Sequence, residues 1–125
     1  MNTRLVENLT RCETDLEGAM RRFADDEELY ITCLDAFLLD PTMDELDDAI
    51  KARLWDEAFT AAHALKGLAG NMGFIPLFHA TGELVVLIRA GRINEIGESG
   101  RQVRHCFDDI TNAIRNGCDA AGNNA

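Results

Sequence analysis

The chain is short of the residues on which several protein classes depend. Among its 125 residues there are 12 Lys and Arg against 22 Asp and Glu, a net charge of −10. No basic patch exists to neutralise phosphates, which argues against nucleic-acid binding and against docking on an anionic membrane. No apolar run approaches the ~18 residues that a membrane span needs. The opening residues Met1 to Glu7 hold no apolar segment of the kind a secretory signal carries. Cys12, Cys33, Cys106 and Cys118 form no C-x-x-C pair, so they read as idle thiols in a reducing cytoplasm rather than as a disulfide framework. Only two prolines interrupt the chain, and β-branched runs are scarce, which leaves an all-α protein as the expected class.

The helical pattern is nearly continuous. Asp15 to Phe23 forms a short amphipathic helix carrying Leu16, Met20 and Phe23. Asp25 or Asp26 caps a second helix running to about Leu39, with Leu29, Cys33 and Phe37 on one side and Tyr30 and Leu34 flanking. Asp40-Pro41 kinks or divides the pattern, which resumes from Thr42 to Lys51 with Met43, Leu46 and Ile50 inward. Next come Trp55 to Met72, Ile75 to Ala90 with a seam at Leu77, Thr81, Leu84 and Ile88, and Asn94 to Asn116 with a seam from Ile96 to Ile114. Short connections imply antiparallel neighbours. The expected fold is an up-and-down antiparallel four-helix bundle with a short additional N-terminal helix. It forms a single domain over 1–125, with a core of about 15–116, a frayed tail over 117–125, and a monomeric state as the default.

Three histidines are present, and one stands apart. In the helix from Trp55 to Met72 the residues Leu54, Ala58, Ala61, Leu65, Leu68 and Met72 recur at spacings of four and three, which makes one apolar stripe at about 100° per residue. His63 lies nearly opposite that stripe, with Asp56, Phe59, Thr60, Lys66, Gly67, Gly70 and Phe74 on its side. Interior glycine costs a helix about 1 kcal/mol relative to alanine. Gly70 and Gly73 partly mark the helix end before Pro76, but Gly67 has no such excuse. On an exposed face it bares the backbone for the close approach of another molecule. His79 also points outward but has no lysine beside it, and His105 sits among Arg101, Arg104, Asp108 and Asp109 on an ordinary charged face.

Other chemistries find no support. The residues three before the histidines are Thr60, Pro76 and Gln102, so the Glu-x-x-His pairs of a di-iron bundle are missing. No clustered Cys and His give zinc-ligand spacing, and no metal ligand is assigned; a site assembled only in three dimensions stays open. Nucleophilic triads, phosphate loops and dinucleotide fingerprints are absent. The acidic runs Asp25 to Glu28 and Asp44 to Asp48 read as caps and solvated faces.

The stretch His63-Ala64-Leu65-Lys66-Gly67, followed by Ala69-Gly70-Asn71-Met72-Gly73, resembles the active-site signature of histidine-containing phosphotransfer (HPt) domains. Leu16 to Phe23 with Asp26 to Tyr30, and Asp40 to Lys51 leading into Leu54-Trp55-Asp56, are similar to other parts of that family, so the likeness covers about Asp15 to Asn116. The resemblance implies a cytoplasmic phosphocarrier of multistep two-component signalling, not an enzyme. His63 would accept a phosphoryl group from a receiver-domain aspartate and pass it to another receiver. Lys66 would offset the charge in flight. Phe59, Thr60, Gly67, Gly70, Asn71 and Phe74 would form the receiver-docking face, with Phe59 and Phe74 as its exposed apolar contacts. Response-regulator receivers or a hybrid sensor histidine kinase would be the partners, and Mg²⁺ would sit on the receiver, leaving this chain without a cofactor. An imidazole in water titrates near pH ~6.5, so a solvent-facing ring is substantially neutral and nucleophilic. The chain departs from the related domain of chemotaxis kinases in having no acid soon after His63, which leaves the group that orients the ring unassigned. A helical adaptor that binds a kinase or receiver without being phosphorylated is the alternative. Met1 and the full set of helices suggest a free-standing protein rather than a piece of a hybrid kinase.

Overall fold

The computed structural model describes the backbone of residues 1–123 and the side chains of residues 1–117. Among the described residues seven α-helices follow one another: α1 (Thr3–Arg11), α2 (Leu16–Arg22), α3 (Glu27–Leu39), α4 (Thr42–Lys51), α5 (Trp55–Met72), α6 (Ile75–Arg89) and α7 (Ile93–Asn123). Among the described residues there is no strand, only an isolated bridge between Thr14 and Phe74. Helices α4 to α7 close into the expected antiparallel bundle, with α5 lying between α4 and α6.

Local chemistry sets the boundaries. Asn2, Asp15 and Asp26 each accept a hydrogen bond from a backbone N–H three residues on, satisfying one open donor at the start of α1, α2 and α3 respectively. Pro41 divides rather than kinks: α3 stops at Leu39, and the Asp40 side chain accepts from the Thr42 N–H at 2.8 Å to start α4. At the end of α5, Gly73 takes φ +82° while the Phe74 N–H donates back to the Ala69 carbonyl at 2.9 Å. This left-handed cap reverses the chain into α6.

The N-terminal addition is larger than the sequence suggested. Helix α1 was not expected, yet Leu5 and Leu9 are buried and Asn8 donates to the Ala113 carbonyl of α7 at 3.2 Å. Gly117, expected to open a frayed tail, is helical and buried, and a Cβ there would lie 2.8 Å from the Leu5 Cα. The packed unit therefore runs from α1 to residue 117. Of the expected tail, residues 124–125 lie outside the described residues. Replacing Leu9 with Ala should cost about 2–5 kcal/mol, the range for a fully buried leucine. Urea unfolding checks this, and a change under about 0.5 kcal/mol, typical of surface positions, would show α1 to be dispensable.

Helices α2 and α3 fasten the far end of α5. Arg22 donates to the Asn71 carbonyl at 3.0 Å, and the Tyr30 hydroxyl to the Met72 carbonyl at 2.8 Å. On α3 the inward residues are Tyr30, Leu34 and Phe37, whereas Leu29 is 46% exposed and Cys33 half-buried. Its buried face is thus turned by about one residue from the expected Leu29, Cys33 and Phe37. Arg104 of α7 reaches Asp44 and Asp47 of α4 at 2.9 and 3.2 Å, so part of the second acidic run ties two bundle helices together. Burial and the nearby Asp109 raise the Cys12 and Cys106 thiols above their ordinary pKa, in keeping with unreactive cysteines.

Candidate functional site

Helix α5 buries Ala58, Ala62, Leu65, Ala69 and Met72. The expected stripe was broader: Leu54 is 48% exposed, and Ala61 and Leu68 are half-buried. The stripe nevertheless faces the same way, and His63 is exposed opposite its middle. The ring meets the edge of Phe59, one turn earlier, at a centroid distance of 6.0 Å and an interplanar angle of 60°. Its contact with Phe59 is by an edge, and the ring is otherwise open to solvent. Phe59 is itself held by the Arg89 guanidinium of α6, 5.1 Å from its centroid.

Lys66 shares the face one turn beyond His63 and leans toward α6. Its Nζ lies 5.3 Å from the centroid of Phe78, and a Cβ at Gly82 would sit 3.6 Å from its Cε. Lys66, Phe78, His79, Gly82, Glu83 and Val86 line a groove there. On the other side of His63 a second groove runs between α4 and α5, bordered by Thr42, Glu45, Asp56, Glu57, Thr60, Ala61 and Ala64. Thr60 and Asn71 are exposed on the same helix, with the Thr60 hydroxyl donating to the Asp56 carbonyl at 3.0 Å.

The glycines differ in role. A Cβ at Gly67 would meet no atom within 4 Å, so nothing inside the protein requires glycine there. At Gly70 the Cβ would come within 3.1 Å of the Phe78 ring, so packing of α6 on α5 itself favours a glycine here. Gly67→Ala should stabilise the fold by up to about 1 kcal/mol through helix propensity. Gly67→Leu should fold normally and slow transfer from a docked partner. Thermal melts alongside transfer rates test the pair, and an unchanged rate in Gly67→Leu would remove the docking role.

Phe74 must be corrected. Expected as an exposed docking contact, it is 1% exposed and packs edge-on against Phe37 at 5.1 Å. The left-handed turn at Gly73 takes it off the α5 wheel and into the core. Two α6 residues were missed, Phe78 and Val86. Gly70 meets Phe78, Lys66 meets Gly82, and Phe59 meets Arg89, so the α6 residues level with His63 are Val85 and Val86. Val85 is buried, but Val86 is 64% exposed. The available signal was an apolar residue off the Leu77–Ile88 seam, four after Gly82.

The remaining histidines do not compete. His79 is exposed at the rim of the α6 groove, and His105 lies 3.4 Å from Asp109 on a charged surface. No group of three or more His, Cys, Asp or Glu among the described residues is placed to hold a metal.

An exposed helical histidine with a lysine one turn on and an open glycine beside them coincides with a family match: the Hpt domain matches residues 38–117. The chain belongs to the Hpt domain family. The match spans α4, α5, α6 and α7 to Gly117, the bundle that positions His63, and leaves outside it α1, α2 and all of α3 but Leu38 and Leu39. No curated protein matches the chain, and no solved structure does. Hpt domains serve histidine phosphotransfer in phosphorelays and act in general as phosphocarriers rather than enzymes. They interact with receiver domains and kinases. No described helix of this Hpt domain is long and apolar enough to cross a membrane.

Proposed function

We propose that this Hpt domain carries a phosphoryl group on His63 between receiver-domain aspartates in the cytoplasm. The observation that carries the reading is the exposed imidazole with open space over Gly67 one turn beyond. The solvent-facing nitrogen of the neutral ring attacks the phosphorus of an aspartyl phosphate. The N–P bond forms as the acyl O–P bond breaks, the electron pair returns to the aspartate carboxylate, and the ring N–H stays on the other nitrogen. Onward transfer reverses these steps on a second receiver. Lys66 leaves the Phe78 ring to balance the charge on the phosphoryl oxygens. Phe59 meets the ring by its edge, on a side where no hydrogen bond orients it. Mg²⁺ belongs to the receiver, and Thr60, Gly67 and Asn71 are surface on which it rests.

The test is transfer itself. Incubation with purified receiver domains, charged by a small-molecule acyl phosphate, should leave an acid-labile, base-stable label on this chain. Failure to take label from any receiver of a complete panel would sink the relay reading and favour an adaptor that binds without transfer.

A further inference from the structure

His63 stands between two charge environments. On its α4 side the groove holds Glu45, Asp56 and Glu57, none with a cationic partner among the described residues. On the opposite face of α4, by contrast, Asp44 and Asp47 converge with Asp108 on Arg104. On the α6 side the charges are chiefly of opposite sign. Lys66 and Arg89 lie over Phe78 and Phe59 and face no carboxylate within ion-pair distance, while Glu83 is the single acid lining that groove, with His79 at its rim. Between Lys66 and Arg89 along α6 stands Val86, 64% exposed at the level of His63.

We propose that this polarity sets which way round a receiver docks on His63, with Val86 as its central apolar contact. The inference rests on the relay reading. An aspartyl phosphate is anionic, so it approaches from the side of Lys66 and Arg89. A basic part of the receiver then covers Glu45, Asp56 and Glu57. The reverse orientation sets the phosphate against three carboxylates, and like charges brought together at an interface are strongly disfavoured. Val86 supplies the desolvated centre around which the charged rim is arranged. Such complementarity acts on the encounter rate and is therefore salt-dependent.

The experiment follows transfer from a phosphorylated receiver at low and high salt in three variants of the full chain. In Glu45→Lys/Glu57→Lys the low-salt rate should fall about tenfold or more and its salt dependence should flatten. Glu7→Lys/Glu28→Lys makes the same change in net charge on α1 and α3 and should leave the rate unchanged. Val86→Asp, at an exposed position, should slow transfer at every salt concentration with the circular dichroism unaltered. If the charge swap disturbs folding, Glu45→Gln/Glu57→Gln reads the same direction without added bulk. A wild type that labels normally, with a face swap as fast as wild type or a control as slow as the face swap, overturns the polarity alone. A wild type that takes no label overturns the relay reading, and this inference with it.

Discussion

His63→Gln should fold like the wild type and take no phosphoryl group. The side chain is exposed and touches Phe59 only by an edge. Surface replacements of that kind change stability by no more than about 0.5 kcal/mol. Glutamine keeps polarity and approximate length but has no ring nitrogen with a free lone pair to attack phosphorus. The expected loss is complete, to the background of a chain without nucleophile. His79→Gln and His105→Gln are the matched controls. His79 lies in the adjoining groove, close enough to test whether the assignment is specific, and His105 lies beside Asp109 on a charged surface. Both should label as the wild type does. Retention of label in His63→Gln, or its loss in His79→Gln, would move the phosphoacceptor elsewhere. Circular dichroism on each variant separates chemistry from folding.

How far the sequence revealed the site depended on the kind of pattern that encoded it. The outward position of His63 followed from spacing alone, because α5 alternates a polar face with an apolar one and Ala58, Leu65 and Met72 hold the phase. Depth was less legible. Ala62 and Ala69 are fully buried while Leu54 and Leu68 are not, so on this helix side-chain size does not follow depth. A hydrophobicity pattern favours leucine over alanine and so tilts the stripe outward. Helix α3 is apolar on most of its surface, with Leu29, Tyr30, Ile31, Cys33, Leu34, Phe37, Leu38 and Leu39 within thirteen residues, so periodicity could not say which side faced in. Helix α1 failed for the opposite reason. It offers only Leu5 and Leu9 to the core within a polar stretch, and its stability comes from the α7 surface it covers. The α6 side of the site, where Phe78 and Val86 flank Lys66, depends on the register of two helices, which no single-helix wheel contains.

Phe74→Ala should destabilise the protein by about 3–5 kcal/mol, the range for truncating a buried phenylalanine. The ring is 1% exposed, meets Phe37 edge-on at 5.1 Å, and through Phe37 connects to Phe107 of α7 at 5.4 Å. Its removal would open a cavity where α3, the α5–α6 turn and α7 converge. The neighbouring backbone has little freedom to close the gap: Asp15 N–H donates to the Gly73 carbonyl at 2.8 Å, and Phe74 N–H is committed to the Ala69 carbonyl. A domain of this size is stable by about 5–15 kcal/mol, so the variant would lose a large share of that. Phe59→Ala provides the contrast, since Phe59 is only half-buried, holds the His63 ring and stacks under Arg89. It should cost less stability and more transfer. Urea titration with transfer rates normalised to the folded fraction distinguishes the two. If Phe74→Ala kept wild-type stability yet transferred slowly when folded, the ring would be a docking contact after all, and the turn at Gly73 would not bury it as described. The expected result is the reverse: transfer normal per folded molecule, with fewer molecules folded, because α5 presents its histidine correctly only while the turn beyond Met72 is pinned into the core.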